Sequence, residues 1–145
     1  MCYTHRRLLA QTALALIAEH KDKKAIDILK KADVEIPYYN VPVDYMSGGL
    51  DMARGWLLTG QKAKGEEYLK KVWTNATQYL NYYLSLNADR FAQAQSDCIR
   101  QIMIMQSAAE VAGMVSPKLE AQYAKQLNAL YTLYHGRGGR MPEGY

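Results

Sequence analysis

Apolar residues fall at helical spacing almost from the start of the chain. Leu9, Ala13, Leu16 and Ile17 stand at i, i+4, i+7 and i+8, the signature of one buried helix face. The pattern predicts a first helix from Thr4, whose hydroxyl can cap it, to about His20. After a tight turn, Asp22 can cap a second helix with the inner stripe Ala25, Ile28, Leu29 and Ala32, while Asp27 and Lys31 lie one turn apart on its outer side. Pro37 prevents that helix from continuing.

Pro37 and Pro42 bracket a loop, each forcing extended backbone before it. A third helix is expected from Val43 and contains Gly48, Gly49 and Gly55. Each glycine costs about 1 kcal/mol relative to alanine inside a helix, so close helix approach or a bend at Gly48-Gly49 must compensate. A phosphate cradle would also use glycine, but the preceding strand, the lysine and the hydroxyl it needs are missing. Gly60 closes the helix. The fourth is long, from Gln61 to Leu86, with a stripe of Leu69, Val72, Trp73, Ala76, Leu80, Tyr83 and Leu84 and the surface pairs Glu66 with Lys70 and Glu67 with Lys71.

Asn87 marks a break and a cap. A fifth helix from Ala88 to Met114 is expected to bury Phe91, Ala94, Cys98, Ile102, Met105, Ala109 and Ala112 and to pair antiparallel with the fourth. Ser116 and Pro117 begin a sixth, with the hydroxyl as N-cap and proline at N1. Its inner face is Leu119, Tyr123, Leu127, Leu130 and Tyr134. Residues 136–145 have no periodicity and are expected to be a flexible tail behind a single domain at 1–135.

The segments Lys21–Ala32 and Gln61–Val72 are related by a constant shift of forty residues, which takes Ala25 to Gly65, Leu29 to Leu69 and Ala32 to Val72. The same shift takes Leu9, Ala13 and Leu16 to Gly49, Ala53 and Trp56. Small residues between large ones are what two closely crossing helices require. The spacing of Ala25, Leu29, Ala32 and Pro37 is that of the second helix of a tetratricopeptide hairpin. A unit of about 34 residues with an inserted loop accounts for the period. The expected fold class is therefore all-α: tetratricopeptide-like helical hairpin repeats, about six antiparallel helices in a right-handed array, with the last hairpin a divergent cap.

Composition narrows the chemistry. A net charge of +4 in 145 residues is too mild to imply a nucleic-acid partner. The tail segment GRGGR resembles one fragment of an RGG region, but a single copy without aromatic interleaving does not change that. Twelve tyrosines against one phenylalanine suit helix seams near solvent, since tyrosine has an apolar body and a polar tip. Cys98 falls on an apolar stripe and reads as a free buried thiol. His5, His20 and His135 sit at helix ends without metal spacing, and no nucleophile elbow or paired carboxylate stands out. Asn75-Ala76-Thr77 matches the glycosylation sequon but lies inside the fourth helix. His5, Arg6 and Arg7 precede an apolar stretch, yet no small-residue cleavage site follows. No run reaches the roughly 18 to 20 apolar residues a bilayer span needs. No catalytic, cofactor or metal residue is therefore assigned.

The concave face of such an array is lined by the first helix of each hairpin, which selects Arg7, Gln11, Asp51 and Arg54 as candidate binding residues. The expected partner is a protein or peptide; leftover apolar surface on the fifth or sixth helix could instead make a homodimer. NVPVDY at 40–45, YYLSL at 82–86 and the AxxxLxxA helix before them resemble the C-terminal part of a bacterial membrane-protein family, domain-of-unknown-function family 2723. Its members are similar to protein O-mannosyltransferase-type enzymes, with a multi-pass body followed by a helical soluble domain. The resemblance implies that the chain is a fragment of a larger inner-membrane protein, facing the periplasm, and that the parent's own membrane body is one partner. A free-standing chain would be cytoplasmic. The chain has neither a membrane span nor the acidic catalytic loop of the body, so the resemblance assigns it no transferase activity. A role in positioning an acceptor protein or a lipid-linked sugar is the alternative, and exposed tyrosines facing a cleft with polar partners would favour it.

Overall fold

The first turn between helices is closed by backbone bonds that recur later in the chain. Lys21 N–H donates to Leu16 C=O at 2.8 Å, and Gln61 N–H donates to Trp56 C=O at 2.8 Å, forty residues further on. The residues inside these turns, His20 (φ 62°) and Gly60 (φ 83°), are both left-handed, as this helix stop requires. Ala25 N–H to Lys21 C=O and Gly65 N–H to Gln61 C=O then start the following helices in the same register. The repeat seen in side-chain pattern is thus also a repeat in backbone hydrogen bonding.

The computed structural model describes residues 2–36 and 48–142, the side chains of 2–4 excepted. Among them are seven helices and no strand: α1 (Cys2–Ala18), α2 (Asp22–Glu35), α3 (Gly49–Leu58), α4 (Lys62–Leu84), α5 (Ala88–Gln93), α6 (Gln95–Val115) and α7 (Pro117–Gly136). The loop bracketed by Pro37 and Pro42 and the expected helix start at Val43 lie outside the described residues. No helix among those described is long and apolar enough to cross a membrane. The chain divides into two compact units, Met1–Val72 and Trp73–Tyr145.

In the first unit α1 packs against both α2 and α3. Its buried face is Arg6, Ala10 and Ala13, each without exposed surface, while Leu9, Leu16 and Ile17 are half-buried. Thr4 is not the expected cap, because α1 already runs from Cys2. Nor is Asp22: Lys21 takes the N-cap of α2, and Asp22 is its first helical residue, where a carboxylate favours the positive end of the helix dipole. Ala25, Leu29 and Ala32 are buried as expected, and α3 is buried nearly all round through Leu50, Met52, Ala53 and Trp56. Burying one large side chain of this kind contributes about 1.5–3 kcal/mol.

Glycines mark the crossings. A Cβ on Gly55 would lie 3.0 Å from Leu29 Cδ2, and one on Gly65 would lie 2.5 Å from Leu57 Cγ and 3.1 Å from the Ala53 carbonyl oxygen. Close approach therefore accounts for both. Gly48 has a different role from the helix-interior one expected. It is the N-cap of α3, with φ 82°.

In the second unit α6 packs along α7, around Cys98, Ile102, Met105, Ala108 and Val111. The expected sixth helix starts as read: Ser116 Oγ accepts from Leu119 N–H at 3.1 Å and Pro117 occupies the first turn. Asn87 caps α5, its Oδ1 accepting from Arg90 N–H at 2.9 Å. The single helix expected from Ala88 to Met114 is instead broken at Ala94 (φ −92°, ψ 5°), which makes seven helices of the expected six. Phe91, just before the break, meets Tyr134 edge-on at 5.9 Å. Trp73, in the α4 segment of this unit, stacks on Tyr123 with centroids 3.9 Å apart and donates from its indole to Gln126 at 2.9 Å.

Candidate interaction surfaces

Arg6 and Arg7 are neighbours in sequence and opposites in space. A helix turns by about 100° per residue, so one faces the core and the other solvent. Arg6 is fully buried and donates from Nη2 to the Ile36 carbonyl, one residue past α2, at 2.7 Å. Arg7 is exposed, as is Gln11 one turn later. Gly48 brings α3 to this end of α1: a Cβ on it would lie 2.6 Å from Arg7 Cα. Asp51 and Arg54 follow on α3 and pair with each other at 3.4 Å, each side chain only partly exposed. Asp51 stands in the first turn of α3, where the helix dipole favours its charge. Of the four residues expected on one binding face, Asp51 and Arg54 are thus directly joined. Arg7 and Gln11 share an exposed side of α1.

Between α2 and α4 lies a polar cluster that sequence reasoning missed. Tyr68 Oη donates to Asp33 Oδ1 at 2.5 Å, and Lys64 Nζ reaches Asp33 Oδ2 at 2.8 Å. Burial works to raise the Asp33 pKa. Hydrogen bonds from Lys64 and Tyr68, with the Lys64 and Lys71 charges, outweigh it and hold the carboxyl below its usual value. Its hydrogen bond to Asp33 raises the Lys64 ammonium. Burial first, and then the bond to Asp33, push the Tyr68 phenol far up. Tyr68 is 3 % exposed while Asp33 and Lys64 are partly open to solvent, and the cluster ties α2 to α4. The signal that could have found it is Asp33 on α2, whose partners Lys64 and Tyr68 share one face of α4 at i and i+4.

On the α4 segment of the second unit, Asn75, Gln78, Tyr79 and Tyr82 line an open depression of about 260 Å³. Tyr82 is 59 % and Tyr79 49 % exposed. Tyr83 is half-buried, and burial followed by the nearby Asp97 carboxylate raises its phenol. Tyr82 is thus an exposed tyrosine beside the polar side chains of Asn75 and Gln78; Tyr38, Tyr39 and Tyr45 lie outside the described residues.

The remaining candidates have structural uses. Cys98 is a free, fully buried thiol, and burial raises its pKa to about 11. Within GRGGR, Gly138 (φ 87°) follows the helix end, and Gly139 N–H donates to the Tyr134 carbonyl at 3.0 Å. Gly139 lies so close to the Tyr134 ring that a Cβ would stand 2.3 Å from it, and Tyr134 Oη donates to the Arg140 carbonyl at 2.7 Å. Arg137 sits over the Phe91 ring and donates to the Leu84 carbonyl, the last of α4. In the described part of 136–145, the backbone at Gly139 and Arg140 is thus hydrogen-bonded to Tyr134. No group of histidine, cysteine, aspartate or glutamate among the described residues could hold a metal ion. Comparison with protein-family models, curated proteins and solved structures finds no match.

Proposed function

We propose that this chain is a noncatalytic, tetratricopeptide-like helical-repeat domain that binds a protein or peptide, or packs against the membrane body of a parent protein. The observation that carries this reading is the repeated hairpin. Turn bonds, left-handed stop residues and small crossing residues recur at one interval, from Leu16, His20 and Ala25 to Trp56, Gly60 and Gly65. Repetition of one hairpin builds a frame and leaves its side chains outside the crossings free to vary, which is how repeat arrays present binding surfaces. In a right-handed array Arg7, Gln11, Asp51 and Arg54 would line the inner face. A displayed library of extended peptides, selected on the 145-residue chain, tests this. Selected sequences should bind about tenfold more weakly, a cost of about 1.4 kcal/mol, to the Arg7→Ala/Arg54→Ala variant and equally well to Lys118→Ala. Selection that yields nothing, or binding unchanged in the double variant, would remove the reading.

The resemblance to the membrane family is part of the same proposal and has its own check. A reading frame that continues upstream of Met1 into hydrophobic spans is the expected result, and a stop codon directly before Met1 would exclude it. A second reading, a domain that positions an acceptor protein or lipid-linked sugar for a parent transferase, is favoured by the exposure of Tyr82 beside Asn75 and Gln78.

A further inference from the structure

The outward face of α4 carries Asn75, Gln78, Tyr79 and Tyr82 at i, i+3, i+4 and i+7, a single stripe. Its opposite face buries Trp73, Ala76 and Leu80. We propose that this stripe is a binding shelf for a neutral saccharide. The inference rests on the chemistry of these four side chains and would stand even if the chain served no transferase.

The aromatic faces are the first argument. Tyr79 stacks on Tyr83 at 6.3 Å with planes 25° apart, and Tyr82 leans on the same ring at 5.6 Å. Tyr83 is half-buried, so it supports two more exposed rings in defined orientations. A tyrosine face carries the negative part of the ring quadrupole. It attracts the polarised C–H groups that a pyranose presents on its less polar side.

The polar lining is the second. Each carboxamide offers both a donor and an acceptor, matching neighbouring hydroxyls that do the same. No charged residue lines the depression, so an anionic or cationic ligand would find no countercharge there. The stripe is about 10 Å long at 1.5 Å per residue, the reach of about two linked sugar rings. At about 260 Å³ the space falls below the roughly 300 Å³ from which drug-sized sites begin.

A proline-rich peptide fits less well. It needs aromatic rings standing apart as slots, and an aliphatic ring between two faces needs about 7 Å or more at contact distances of about 3.5–4 Å on each side. The near-parallel pair, Tyr79 with the half-buried Tyr83, has centroids 6.3 Å apart, which leaves no slot of that width between these two rings.

Saturation-transfer and amide-shift NMR on the full chain tests the shelf, using methyl glycosides of glucose, mannose, galactose and N-acetylglucosamine, with glucuronic acid as the anionic control. At least one neutral glycoside should bind in the millimolar range expected of an open site, shifting amides confined to 75–82. Binding should vanish in Tyr82→Ala and weaken about tenfold in Asn75→Ala, with the far-UV spectrum unchanged and Tyr131→Ala behaving as wild type. The proposal is overturned if no neutral glycoside binds, if Tyr82→Ala binds equally well, or if the anionic control binds as tightly. It is equally overturned if amides 75–82 respond to a proline-rich peptide, or to protein concentration alone, and to no sugar. These readouts involve neither Arg7 nor Arg54, so failure here leaves the peptide-binding reading untouched.

Discussion

The Tyr68 hydroxyl donates to Asp33 Oδ1 at 2.5 Å across 35 residues of chain, joining the second helix of the first hairpin to the second helix of the next. Because Tyr68 is buried and Asp33 also holds Lys64, the two side chains act as one unit. Tyr68→Phe is expected to cost about 1–2 kcal/mol and Asp33→Asn slightly more, since hydrogen bonds to charged groups are worth about 1.5–3 kcal/mol. In urea unfolding followed by circular dichroism, the double variant should be more stable than the sum of the single losses predicts. Strict additivity would show that the pair is not coupled.

The same cluster shapes the pH dependence of stability. The folded pKa of Asp33 lies below its unfolded value, so its contribution is complete above about pH 4 and is lost as pH falls through the folded pKa. Lys64 and Tyr68 are shifted up. Their contribution is complete below about pH 10 and is lost as pH rises through the folded values. Urea midpoints measured against pH should therefore fall less steeply in acid for Asp33→Asn than for wild type. Parallel acid limbs would count against the assignment.

At the crossing of α3 and α4, Gly65→Ala should cost about 1–3 kcal/mol. The added methyl meets both Leu57 and the Ala53 carbonyl. Leu57→Ala in the same chain should recover part of that loss, and the carbonyl contact sets the remainder. Thermal unfolding of the three variants measures this, and full recovery would mean that the backbone is not in the way.

His20 is the non-glycine residue with positive φ among those described, and it occupies the position that Gly60 holds in the second hairpin. His20→Gly should raise stability by about 0.5–1 kcal/mol, and Gly60→Ala, with nothing within 4 Å of its Cβ, should lower it by about 1 kcal/mol. A midpoint that drops in His20→Gly would show that the imidazole makes a contribution larger than the strain.

What the sequence determined by itself was periodic or local. Leu29, Ala32, Leu69, Val72 and Leu80 could be placed in the core because a helix returns to the same face about every 3.6 residues. The caps at Asn87 and Ser116 could be read because a cap involves only three or four consecutive residues. The forty-residue repeat was visible for the same reason, since it is a comparison of the chain with itself. The tertiary structure decided what depends on two distant segments meeting. Arg6 finds a buried partner because the end of α2 offers a carbonyl there. Asp33 acquires Tyr68 as its partner because two hairpins meet at that point. The helix break at Ala94 has no local cause in its alanine and glutamine surroundings, and it accompanies the packing of Phe91 on Tyr134. The candidate surfaces divide in the same way. Arg7, Gln11, Asp51 and Arg54 follow from counting along helices, whereas the shelf of Tyr79 and Tyr82 became visible only when packing had buried the other side of α4.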